Sequence, residues 1–157
     1  KIVGGGMPIG ALVGPAAIMD QLSPLGPVYQ AGTLSGNPVS LAAGIKTLEI
    51  LRDEDPYPRL DALGASLVAC LEASGKPTAR AVRQGSIVWL HLDEAPFPRR
   101  PEGIAEGVTT RFKGMYGALL EKGFYLPPAS VEVLFISTAH TETEVKNLAG
   151  AVVELLG

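Results

Sequence analysis

"KIVGGGMPIGALVG", Lys1 to Gly14, sets one lysine beside three consecutive glycines, with further glycines at Gly10 and Gly14. Lys1 is the only cation before Lys46. Such a lysine is either a surface charge on a turn or an amine placed to meet a ligand. An amine becomes a nucleophile only after losing its proton, which burial or a neighbouring cation promotes. Glycines let a flat ring lie against backbone, because no side chain intervenes. The run lacks the G-x-x-x-x-G-K-[ST] order of a nucleotide phosphate loop. The stretch reads as an irregular loop leading into a short buried strand.

Working outward, "PAAIMDQL" predicts a brief helix stopped at Ser23-Pro24. "GPVYQAGTLSGNP", Gly26 to Pro38, carries too much Gly and Pro for regular structure. It ends with Asn37 as an N-cap and Pro38 in the first helical turn. Leu41, Ile45, Leu48 and Leu51 then recur at three- and four-residue spacing, which predicts an amphipathic helix. "RDEDPYPR", Arg52 to Arg59, is acidic and carries two prolines, so the chain is expected to divide there, into 1–53 and 54–157.

In the second part, Leu60, Leu63, Leu67 and Leu71 predict a helix closed by Gly75. "ARAV" and "SIVWLHL" read as strands, the second rich in β-branched and aromatic residues. A loop, "DEAPFPRRPEG", precedes a long helix marked by Ile104, Val108, Phe112, Met115 and Leu119 and ended by Lys122 and Gly123. "VLFIST" predicts a third strand. Thr141 and Glu144 predict a capping box, followed by a core face of Val145, Leu148, Val152 and Leu155. The pattern is a three-stranded sheet with helices on one face.

The 157 residues suffice for one domain, or for a small domain with part of another. No charged segment followed by an apolar one marks a signal peptide, and the chain is expected to be the back portion of a longer protein. Apolar residues make up 46 % and mean hydropathy is +0.25, so a packed core is expected and disorder is not. Net charge is −3 with acids and bases intermixed, which argues against a nucleic-acid or membrane surface. No apolar run approaches the ~18 residues of a membrane span. Cys70, the only cysteine, reads as a small packed hydrophobe, and a chain without an internal disulfide fits a reducing, cytoplasmic setting.

Three further places bear on chemistry. Gly32 offers an open backbone N–H and Thr33 a hydroxyl before a helix N-terminus, which suits a phosphate ester or serves as an ordinary helix entry. Glu132, in "PPASVEVLF", is either a buried acid that tunes an amine or a surface residue, and its surroundings favour the surface. His140 closes the turn before the last helix, and His91 alternates in a strand toward solvent. The two histidines lie far apart with no metal-ligand spacing, so no metal site is expected. No G-x-S-x-G elbow occurs.

Taken in order, "KIVGGGMPIGA" and "YQAGTLSGNPVSLAAGIKTLE" resemble the pyridoxal-phosphate enzymes of aspartate-aminotransferase fold. Among them the chain is most similar to the glutamate-1-semialdehyde 2,1-aminomutases, over its whole length, including "GFYLPPASVEVLFISTAHTETEV". The resemblance implies an α/β fold: the end of the large domain over 1–53 and an α+β small domain over 54–157. Lys1 then matches the lysine that bonds covalently to the aldehyde of pyridoxal 5'-phosphate, a cofactor that also works in its pyridoxamine 5'-phosphate form. Gly32 and Thr33 match the loop that reaches across a homodimer to the partner's cofactor phosphate. Tyr29 matches the pocket edge. Glu132 matches a glutamate close to the cofactor lysine, which reverses its surface reading.

The implied reaction moves an amino group within glutamate-1-semialdehyde, through a bound diamine, to give 5-aminolevulinate for tetrapyrrole synthesis. Related omega-aminotransferases place an arginine in the final strand, where it grips a substrate carboxylate through two parallel hydrogen bonds. No arginine occurs from Phe135 to His140, and Ser137 lies near that place. An aminotransferase for β- or ω-amino substrates is the rival reading, and a non-catalytic binding module is a third. The chain departs from the family at Leu12 and Val13, where an aromatic and more glycine are common. The partners implied are the small-molecule substrate and a second copy, with no nucleic acid and no membrane.

Overall fold

The structure, a computed structural model, describes residues 2–157 and divides them after Asp55 into two compact units. Lys1 lies outside the described residues.

The first unit holds α1 (Ala16–Met19) and α2 (Pro38–Glu54). Asn37 caps α2: its Oδ1 accepts from the Ser40 amide at 3.0 Å, and Pro38 occupies the first turn. Residues 2–7 are consecutive turns. The strand expected over "ALVG" does not form; Leu12 and Val13 are exposed, and no described strand lies beside them to supply a hydrogen-bonding edge. The stripe Leu41, Ile45, Leu48 also faces outward, whereas Ser40 and Gly44 are buried. The apolar period was read correctly as a helix, but the side turned toward the unit's own loops is the small one. No hydrophobic residue of this unit belongs to the buried core.

The second unit has a full core. Its order is α3 (Tyr57–Ala73), β1 (Arg80–Gln84), β2 (Ile87–His91), a 3-10 turn (Pro101–Gly103), α4 (Glu106–Glu121), β3 (Leu134–Phe135) and α5 (Glu142–Leu155). The sheet is antiparallel, β1-β2-β3, with Ala81 opposite Leu90 and Val88 opposite Leu134 on the core side. Leu63, Leu67 and Leu71 of α3, Phe112, Met115 and Leu119 of α4, and Val145 and Val152 of α5 complete that core. Arg59, near the start of α3, donates to the Thr138 and His140 carbonyls at 2.7 and 2.8 Å. Lys76, just past the end of α3, donates to the Val153 carbonyl at 2.8 Å. These two ties set α3 and α5 side by side in the same direction.

Helix ends follow the expected chemistry. Gly75 and Gly123 take positive φ of 68° and 89° just beyond α3 and α4. Thr141 and Glu144 form the capping box in full. Three expectations shift. The third strand shrinks to two residues, although the Ile136 amide still reaches the Ser86 carbonyl at 3.0 Å before the Ser137–His140 turn begins. Ile104 precedes α4, because Ala105 is already extended as the cap.

His91 is fully buried rather than solvent-facing. The loop after β2 folds back over it: Nε2 lies 2.8 Å from the Ala95 carbonyl, and the Phe97 ring lies tilted against it, with centroids 4.9 Å apart. Arg80 holds that loop through the carbonyls of Asp93, Glu94 and Ala95 and rests on the Phe97 ring.

Two predictions arise here. Expressed alone, residues 56–157 are expected to unfold cooperatively in urea, and residues 1–55 to show no cooperative transition, since only the former bury apolar side chains. The second concerns acid. The Ala95 amide and Arg111 hold the Asp93 carboxyl below its usual range, and the Thr141 amide and hydroxyl do the same for Glu144. Groups with depressed folded values contribute stability above the unfolded value of roughly 4 and lose it as pH falls through the folded one. The urea midpoint of 56–157 should therefore decline below about pH 4, and less so in Asp93→Asn, measured by fluorescence of Trp89.

Candidate functional site

The site of the first unit is built by two loops against the start of α2. Pro8, Ile9 and Gly10 form one wall of a cavity of about 330 Å³; Gly32, Leu34, Ser35 and Gly36 form the other, with Ser40 and Leu41 from the helix. The second loop is a tight turn: the Ser35 amide donates to the Gly32 carbonyl at 2.9 Å, and Gly36 takes φ +71°. A Cβ at Gly32 would lie 2.8 Å from Ser35 Oγ, so a larger residue would turn that hydroxyl aside. Asn37 ties this turn to the helix, its Nδ2 donating to the Leu34 carbonyl at 3.3 Å and to Ser40 Oγ at 2.8 Å.

Gly32 and Thr33 are adjacent and exposed, and among the described residues their amides donate no hydrogen bond. Two N–H groups without a partner and a hydroxyl make a donor set that fits a phosphate ester. Tyr29 is exposed at 81 % and does not line this cavity. Removing the cap should loosen the turn: Asn37→Ala is expected to cost about 1 kcal/mol. Exchange of the Ser35 and Ser40 amides would rise about fivefold, a rate that hydrogen-exchange mass spectrometry reads directly.

The glycines after Lys1 divide their tasks. Gly4 is buried, its Cβ position filled by the Met7 carbonyl and the Ile9 side chain, and Gly5 abuts Thr47. Only Gly6 and Gly10 face open space. Sequence reasoning assigned the whole run to clearing room for a ring and missed the packing role. The pattern "AAG" in α2 was the available signal, since a helical glycine implies a close neighbour.

In the second unit, Glu132 is exposed in the turn after Ser130, its amide donating to the Ala129 carbonyl at 3.1 Å. His140 accepts at Nδ1 from both the amide and the hydroxyl of Ser137, each 3.0 Å away, which closes the turn as expected. The guanidinium of Arg59, beside the Ser137–His140 turn, is committed to two backbone carbonyls. Among the described residues no cluster of His, Cys, Asp or Glu suits a metal, and no helix is long and apolar enough to cross a membrane.

A lysine-glycine loop and a glycine-threonine turn entering a capped helix, followed by an α+β unit, match the class-III aminotransferase family over residues 1–142. The chain belongs to that family. It is 42 % identical over 154 residues to a glutamate-1-semialdehyde 2,1-aminomutase of Chlorobium luteolum, covering 96 % of this chain and 36 % of that protein. The enzyme of the same name from Thermus thermophilus is 42 % identical over 160 residues, covering 99 % and 37 %. Among solved structures, an omega-transaminase from Sphaerobacter thermophilus superposes with a TM-score of 0.80 at 27 % identity, over 99 % of this chain and 36 % of that one. The chain thus spans little more than a third of the length of these relatives.

Proposed function

We propose that the protein containing this chain is a pyridoxal-phosphate-dependent isomerase that converts glutamate-1-semialdehyde to 5-aminolevulinate by moving an amino group within the substrate. The observation that carries this reading is the identity near 40 % to curated proteins of that name across almost the entire chain. Residues 1–53 are then the end of the large cofactor-binding domain, and 54–157 the small domain.

When bound, the cofactor supplies the electron sink that lets the amino group change carbons. The chain's own residues do the rest. Lys1 holds the cofactor covalently at rest and, once a free neutral amine, carries a proton at Nζ between substrate carbon and cofactor. Gly32 and Thr33 bind the phosphate belonging to a second copy, in a homodimer with shared sites. Tyr29 edges the substrate pocket and Glu132 assists the proton transfer at Lys1. The lack of an arginine from Phe135 to His140 supports a substrate whose reacting carbon bears no carboxylate. Arg59, spent on carbonyls, offers no substitute. A cytoplasmic location accords with the single cysteine.

The structural likeness to an omega-transaminase favours one rival, an aminotransferase for β- or ω-amino substrates. Purified protein of the relatives' full length, given glutamate-1-semialdehyde and no amino donor, separates the two. Repeated turnover to 5-aminolevulinate supports the isomerase; a stall after one equivalent supports the transferase.

A further inference from the structure

We infer that Gly44 and Thr47 of α2 are positioning residues for Lys1: they form the seat on which the backbone that follows the lysine is laid. The inference rests on the reading of Lys1 as the cofactor lysine. It goes further by assigning the lysine's placement to a helix more than forty residues away in sequence.

The contacts are specific. A Cβ at Gly44 would stand 3.2 Å from the Val3 carbonyl oxygen and 3.8 Å from Ile9 Cδ1. A Cβ at Gly5 would stand 2.5 Å from Thr47 Oγ1, and Gly5 has φ +58°, a conformation other residues rarely take. Thr47 Oγ1 is itself held, donating to the Ala43 carbonyl at 2.9 Å, so it cannot turn aside without losing that bond. The loop has little slack. The Gly5 amide donates to the Ile2 carbonyl and the Met7 amide to the Gly4 carbonyl, each at 3.0 Å. The first of these turns couples Val3 and Gly5 to Ile2, the residue that follows Lys1 in the sequence.

Alanine suits a helix interior better than glycine by about 1 kcal/mol, so Gly44→Ala ought to strengthen α2 taken alone. At 3.2 Å its methyl instead requires the Val3 carbonyl to yield by a few tenths of an ångström, two residues from Lys1. A reacting group displaced by ~1 Å can lose on the order of 100-fold in rate. The smaller shift here is expected to lower kcat about tenfold with KM moved less, and Gly44→Val more. Thr47→Ala removes the Oγ1 that stands against Gly5 and is expected to free that turn and lower kcat in the same direction. Gly150→Ala on α5, where a Cβ meets nothing within 4 Å, is the control.

Two readouts on protein of the relatives' full length test this. Hydrogen-exchange mass spectrometry of a peptide spanning residues 2–9 reports the seat without reference to cofactor. A pH titration of the visible absorbance of the lysine-bound cofactor reports the amine. The expected result is faster exchange and a displaced titration midpoint in both Gly44 variants and in Thr47→Ala, and neither in Gly150→Ala; unchanged exchange in Thr47→Ala removes Thr47 from the seat. Unchanged exchange in Gly44→Val overturns the seat. Faster exchange with an unmoved midpoint and unmoved kcat overturns the positioning role. A wild-type protein without that absorbance refutes the reading of Lys1 instead, and the exchange measurement still decides the seat.

Discussion

Lys1→Ala, made in protein of the relatives' full length, is expected to abolish the visible absorbance of lysine-bound cofactor. Turnover should fall by at least roughly 10²- to 10⁴-fold, the range that a positioned proton carrier contributes. An alanine can neither bond to the cofactor aldehyde nor carry the proton that must leave one carbon for another. Lys1→Arg should fare no better, because a guanidinium stays protonated. A small primary amine added to the Lys1→Ala protein should restore part of the turnover, since the missing chemistry is a free amine and the missing volume admits one. Absorbance and activity that survive in Lys1→Ala would remove the lysine from the mechanism.

The second large effect concerns stability. Leu71→Ala is expected to cost about 3–4 kcal/mol, read as a lower urea midpoint with unchanged slope. Leu71 is wholly buried in α3, among the side chains that α5 and the sheet bring together. Truncation removes its apolar surface from the core and leaves a cavity that the packed neighbours fill only in part. Leu48→Ala in the same 157-residue chain is expected to change stability by no more than about 0.5 kcal/mol, because Leu48 is 53 % exposed on α2. A large loss at Leu48, or a small one at Leu71, would contradict the division of burial between the two units.

Those two leucines also show what could be read in advance. Each belonged to an apolar period of three and four residues, and each period is a helix. Spacing reports that a face is apolar; it does not report what covers that face. For α3 the cover is α5, within the same unit, and the whole Leu63–Leu67–Leu71 face is buried. For α2 the packed side is instead Ser40–Gly44, which no hydrophobic period reveals. Caps were legible because their chemistry is local: Asn37 and the pair Thr141–Glu144 act within three residues. His91 was not, since its burial depends on a loop that returns from beyond the strand and places Phe97 over the ring. At the site, the turn at Gly32–Thr33 could be expected from its residues. The seat beneath the glycine run could not, because it joins positions forty residues apart.

The parallel pairing of the first and last helices of the second unit bears on how the protein is made. Until the fourteen-residue helix α5 leaves the ribosome, the sheet can cover only part of the Leu63–Leu67–Leu71 face, and the part that α5 covers stays open. Synthesis therefore leaves that strip of apolar surface sticky between the emergence of α3 and that of α5, and nascent chains stalled before Glu142 should recruit chaperones that chains extended past Leu155 no longer need.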